Sequence, residues 1–192
     1  EFALVEGKPT IVVDDRELKT KTSLKLFELG AFLHSKRLLV GDFVCSNKVC
    51  VERKLCEDFE SSIIDGRLFA QADELRKNFE SPLICVVGKN FERINKNALQ
   101  GAFISLATDY KIPVIFFDSE EQLAEFLFAC AKREQDNDRT PLRLRVNKPT
   151  QSPAQLQRFI VESIPGVGSK NAVNLLKKFG SVKAVFNSNE NR

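Results

Sequence analysis

The chain has 192 residues, is 43% hydrophobic and carries a net charge of +3, which excludes a disordered tail and allows one cored domain plus a smaller module. No apolar run is long enough to span a bilayer and no secretory leader pattern opens the chain, so we expect an intracellular protein with no membrane partner, cytoplasmic in a prokaryote or nuclear in a eukaryote. Five cysteines at spacings that match no zinc pattern, beside a single histidine, His34, read as reduced thiols rather than metal ligands.

In chain order, Thr10 to Asp14 reads as a buried strand running into the acidic turn Asp14-Asp15-Arg16-Glu17. A helix is expected from Ser23 to Leu29, stopped by Gly30, and a second strand from Ala31 to Ser35. Gly41-Asp42 opens a third strand over residues 43–45, and a turn near Asn47 leads to a fourth over residues 49–54. Asp58 falls near the start of a helix to Ile64, which Gly66 interrupts before helix resumes to about Phe79. Leu83 to Val87 reads as a buried strand, Asn97 to Tyr110 as helix and Val114 to Phe117 as a strand. Ser119 with Gln122 fits a capping box that opens a helix to about Gln135.

Strands in a meander, then strands alternating with helices, predict an α/β fold with a mixed central sheet flanked by helices. Residues 136–152 are charged, contain Pro141 and Pro149, and lack helical periodicity. We therefore divide the chain into a domain over residues 1–137, a linker over 138–152 and a small all-α module over 153–192. Residues 139–192 carry a net charge of +8 and residues 1–138 one of −5, so the tail is the part suited to a polyanion. The chain begins Glu1-Phe2 without an initiator Met, and we expect it to be a piece of a longer protein.

The acidic cluster suggests chemistry. Phosphodiester hydrolysis needs an activated water and relief of charge on the phosphate. Carboxylates can provide both by holding Mg²⁺, and a nearby lysine can position the water or neutralise charge. Glu52 and Lys54 lie two apart on a strand and share a face; Arg53 points to the other, with its backbone carbonyl still available to a metal. Asp42 joins Glu52 only if cross-strand positions sum to 94, which requires an odd loop such as Ser46-Asn47-Lys48, or a bulge. A two-residue Asn47-Lys48 turn would put Asp42 on the wrong face. Taken alone, Gly-Asp is a common turn and Glu-x-Lys a common surface strand pattern.

The series Gly41-Asp42, Glu52-Arg53-Lys54, Asp58 resembles the signature of the XPF-type structure-specific nucleases. Residues 13–18, 62–69 and 131–134 resemble further stretches of that family, over nearly the whole chain and with most likeness to its archaeal Hef branch, which joins a helicase to the nuclease. The resemblance implies a restriction-endonuclease-like core that uses Mg²⁺ or Mn²⁺. It makes Asp42 and Glu52, with the Arg53 carbonyl, the metal ligands and Lys54 the catalytic lysine. Asp14, Glu17, Arg53 and Asp58 become active-site supports. Arg16 either contacts phosphate or pairs with a carboxylate. Asp15 stands where the family varies.

Ile164-Pro165-Gly166-Val167-Gly168, followed by an amphipathic pattern from Ser169 to Phe179 and a stop at Gly180, resembles a helix-hairpin-helix. Gly166, Gly168 and Lys170 would then meet a DNA phosphate at a helix N-terminus; a plain Pro-Gly turn between packed helices is the alternative. The family's module has two hairpins, whereas one precedes Arg192 here. The expected function is cutting one strand of branched DNA, a fork or 3′ flap; the alternative is a non-catalytic subunit that binds or dimerises at junctions. Expected partners are branched DNA, a second copy through the nuclease domain, and a fused or associated helicase. The helix carrying Leu123, Phe126, Leu127, Phe128 and Cys130 is either that pairing surface or a core helix.

Overall fold

The computed structural model describes residues 3–137, 142, 153–164 and 167–187. Contacts divide the chain into two units, Glu1–Val146 and Asn147–Arg192. The expected linker, residues 138–152, lies outside the described residues except for Leu142, which is buried in a core of the first unit.

The first unit is built on strands β1 (Thr10–Asp14), β2 (Phe32–Lys36), β3 (Phe43–Val44), β4 (Cys50–Leu55), β5 (Leu83–Val87) and β6 (Val114–Phe117). They form one sheet in the order β2-β1-β3-β4-β5-β6. β3 is antiparallel to both of its neighbours, and the other pairings are parallel. The sheet is therefore mixed, as the strand order predicts. Its helices are α1 (Lys21–Glu28), α2 (Cys56–Ile64), α3 (Arg67–Asn78), α4 (Lys96–Thr108) and α5 (Glu120–Asn137).

Strand alternation sends side chains to two separate cores. On one face Val12, Val44, Cys50, Ile84 and Val86 meet Phe59 of α2, Leu68, Ala72 and Leu75 of α3, and Leu106 of α4. Phe59 stacks on Phe103 with ring centroids 5.7 Å apart, and Tyr110 stacks on Phe69 at 5.9 Å. On the other face Ile11, Val13, Phe43, Val51 and Cys85 meet Leu26 of α1 and Leu123, Ala124, Leu127 and Ala131 of α5. Leu123 and Leu127 are fully buried there, and Phe126, Phe128 and Cys130 pack against the same cluster. Leu123 and Leu127 of α5 thus belong to the core, because they seal the second face of the unit's own sheet, while Phe126, Phe128 and Cys130 are half-buried.

Local chemistry fixes the helix starts. Thr20 accepts from Ser23 N at 3.4 Å to cap α1, and Asn95 accepts from Ala98 N at 2.8 Å to cap α4. Ser119 Oγ accepts from Gln122 N at 3.3 Å, as the capping box predicts. The return arm lands one residue early, with Gln122 Oε1 accepting from Asp118 N at 3.0 Å. At the far end of α5, buried Gln135 accepts from Thr10 N and donates to the carbonyls of Thr10 and Cys45, tying the helix to β1 and to the end of β3.

The second unit contains α6 (Pro153–Glu162), α7 (Ser169–Phe179) and α8 (Val182–Phe186). Val161, Ala172 and Val185 form its centre, with Leu175, Leu176 and Phe179 against them. α7 ends at Gly180, whose φ of +77° is the left-handed C-cap that glycine favours.

Candidate active site

The hairpin between β3 and β4 has the register that the site requires. Phe43 faces Val51 and Val44 faces Cys50, so positions sum to 94. The connection is the odd loop Ser46-Asn47-Lys48: Val49 O accepts from Cys45 N at 3.0 Å and from Ser46 N at 3.3 Å. Ser46 Oγ accepts from Lys48 N and Val49 N, which holds the loop closed from within. Asp42, just before β3, donates from its N–H to Val51 O at 2.9 Å, and its Oδ2 accepts from Arg53 N at 2.8 Å, which brings it beside Glu52. Asp14 N donates to Asp42 O at 2.9 Å, which extends the row to β1. Asp14, Asp42 and Glu52 thus sit side by side on three adjacent strands. Gly41 makes the entry to this row possible: its φ is +73°, and a Cβ there would lie 2.2 Å from Cys50 Sγ.

Glu52 and Lys54 share the face as expected, both nearly buried at 7% and 8% exposure. Lys54 Nζ lies 3.1 Å from Glu52 Oε1. Burial, reinforced by the negative charge of Glu52, pushes the Asp42 carboxyl up to about 8, against the pull of the Arg53 N–H and Lys54. Two carboxylates forced together in this way are a donor set for a hard cation. Among the described residues no three or more Asp, Glu, His or Cys side chains are grouped to hold a metal. Mg²⁺ does not need such a cage, since it takes one or two carboxylates with carbonyls and waters. Asp42, Glu52 and the Arg53 carbonyl fit that requirement.

The flanking residues divide by face. Asp14 is fully buried; burial alone would raise its pKa, but hydrogen bonds from the Arg16 side chain, Arg16 N and Leu38 N bring it down to about 2. Arg16 Nε lies 2.6 Å from Asp14 Oδ1, with a side chain that remains 56% exposed. Arg53 turns to the opposite face, where its guanidinium lies 3.3 Å from Glu17 and 2.9 Å from Glu120. Glu17 therefore belongs with Arg53 rather than with the Asp42–Glu52 row, and burial raises its pKa while Arg53 opposes the rise. Asp58 is exposed in the first turn of α2.

Two residues of this region were not visible in the sequence. Glu120 completes the Arg53 cluster, and its Oε2 also accepts from Thr22 N and Oγ1 at the start of α1. Gln71 of α3 donates from Nε2 to Glu52 Oε1 at 2.8 Å. Neither lies at a spacing that strand or helix periodicity links to the motif.

In the second unit, Gly168 precedes α7 in extended conformation with open space where a Cβ would stand, and Lys170 is exposed in its first turn. Gly166 lies outside the described residues.

A mixed sheet that places Asp42, Glu52 and Lys54 on one face defines the restriction-endonuclease-like class of nuclease folds. The ERCC4 domain model matches residues 13–130. A 3′-flap repair endonuclease Xpf of Saccharolobus solfataricus is 33% identical over 93% of this chain and 79% of its own length. A Methanocaldococcus jannaschii protein named for an ATP-dependent RNA helicase is 44% identical over 94% of this chain, which spans only 23% of that relative. The solved structure of XPF from Aeropyrum pernix in complex with DNA superposes with a TM-score of 0.63 at 29% identity, over 95% of this chain and 87% of that one. The chain belongs to the ERCC4-domain family, the XPF-type structure-specific DNA endonucleases. No described helix is long and apolar enough to cross a membrane.

Proposed function

We propose that this chain hydrolyses a phosphodiester bond in one strand of branched DNA, a fork or a 3′ flap, with Mg²⁺ or Mn²⁺ held by Asp42, Glu52 and the carbonyl of Arg53. The observation that supports this reading is the odd-loop hairpin together with the Arg53 N–H on Asp42 Oδ2 and Lys54 Nζ beside Glu52. The ion would neutralise charge on the phosphate and make a bound water a better nucleophile. Lys54 has three N–H donors, so it can hold Glu52 and still reach a phosphate oxygen. Asp14 fixes the turn after β1 and presents the exposed Arg16 guanidinium toward the DNA backbone. Glu17 and Arg53 brace the site from behind, and Asp58 adds charge at its rim.

Gly166, Gly168 and Lys170 of the second unit would bind DNA phosphate at the start of α7. Pairing of two copies through the nuclease domain and a fused or associated helicase belong to the same reading, as does an intracellular location; the helicase-named relative supports the second of these. End-labelled fork DNA with Mn²⁺ tests the proposal against Asp42→Asn and Lys54→Ala. Cleavage by the parent alone, with binding retained in both variants and weakening steeply with salt, is expected. Equal cleavage by all three would point to a contaminant and overturn the assignment.

A further inference from the structure

We infer that Gln71 is a positioning residue of the nuclease site, acting on Glu52 from α3; this rests on the metal-dependent nuclease reading above. Gln71 Nε2 donates to Glu52 Oε1 at 2.8 Å, and Lys54 Nζ approaches the same oxygen at 3.1 Å. Both donors make their closest approach to Oε1. The carboxylate is thereby clamped by one oxygen and can offer the other outward. A carboxylate so held loses little freedom on taking a cation, which is how a group behind a ligand tunes affinity.

The amide orientation follows from chemistry. An ionised carboxylate only accepts, so the Gln71 group facing Glu52 must be its NH₂. That leaves Gln71 Oε1, which is buried and has no hydrogen-bond partner. A buried amide carbonyl without a donor is a standing cost to the folded state. A hydrocarbon of the same length would shed that cost but would also leave buried Glu52 without its amide donor. Gln71 is instead suited to the site: its carbonyl shares a carbon with the nitrogen that grips Glu52, so it lies beside the carboxylate.

The test uses the whole chain with Gln71→Met, which keeps length and flexibility, and Gln71→Leu as a second variant. Mn²⁺ affinity read by electron paramagnetic resonance should fall about 10- to 100-fold in both, the range for groups that orient a metal ligand. On fork DNA, kcat should fall by a similar factor while KM stays within about twofold. Melting temperature should move little, since the orphan carbonyl and the hydrogen bond to Glu52 are removed together. In a Glu52→Gln background, Gln71→Met should have no further effect on kcat. Unchanged Mn²⁺ affinity and kcat in Gln71→Met would overturn the inference, as would a loss confined to melting temperature. If the parent chain binds Mn²⁺ but cuts no branched DNA, the nuclease reading fails and the Mn²⁺ arm alone decides on Gln71.

Discussion

Arg53 and Lys54 are adjacent in the chain and serve opposite faces of the sheet: Lys54 pairs with Glu52 in the carboxylate row, while Arg53 reaches Glu17 and Glu120 behind it. One dipeptide thus joins the carboxylate row to the cluster behind it. Arg53 ties the turn after β1 to the start of α5, and Glu120 carries the link on to the start of α1.

Arg53→Met should therefore unfold more easily. It leaves two mostly buried carboxylates without their shared cation, and breaking such a cluster costs about 3–5 kcal/mol. A urea unfolding midpoint measures this. A change within about 0.5 kcal/mol, the scale of ordinary surface substitutions, would mean that the cluster contributes nothing to the fold.

Asp42→Asn should trade activity for stability. The folded Asp42 pKa is raised to about 8, from 3.8, by burial and by Glu52. A raised carboxyl favours the folded state fully below about pH 4, and that contribution is lost as pH rises through about 8. With a chelator present, Asp42→Asn should melt above the parent at pH 8 and near it at pH 4, while losing cleavage. Parallel melting curves across that range would contradict the crowding of Asp42 against Glu52.

Asp14 should show the opposite pH dependence. Its pKa is lowered to about 2, so its contribution is present above about pH 4 and disappears as pH falls towards 2. Asp14→Asn should cost about 1–2 kcal/mol at pH 7, allowing for the exposed half of the Arg16 pair, and the gap should close near pH 2. Acid titration of unfolding free energy for both proteins gives the comparison.

Gly41→Ala should be harmful for two separable reasons. The φ of +73° strains any side chain, and the added Cβ would meet Cys50 Sγ. Strain of this kind costs about 1–3 kcal/mol. Removing the sulfur in Gly41→Ala/Cys50→Ala should restore part of the loss and leave the backbone share. A double variant no more stable than Gly41→Ala would place the whole effect in the backbone.

Much of this was readable in advance because it depends on periodicity. Glu52 and Lys54 share a face by strand alternation, and Asp42 joins them through a loop whose odd length follows from arithmetic. Leu83 to Val87 and Val114 to Phe117 are strands with the expected ends. Gln71 and Glu120 escaped because each enters from a helix whose placement depends on tertiary packing. An apolar helix row such as that of α5 looks the same in sequence whether it covers its own sheet or a partner; the sheet's second face takes Leu123 and Leu127. Arg16 was ambiguous for a similar reason, since a guanidinium suits phosphate and carboxylate equally.

The stacking of Tyr110 on Phe69 gives the chain a private optical label. There is no tryptophan and one tyrosine, and that tyrosine belongs to the unit built on the sheet. Ultraviolet emission excited above the phenylalanine band therefore reports on this unit alone. Far-ultraviolet dichroism sums over both units, so the two signals in one cuvette show whether the sheet-built unit melts together with the rest of the helix, without adding a dye.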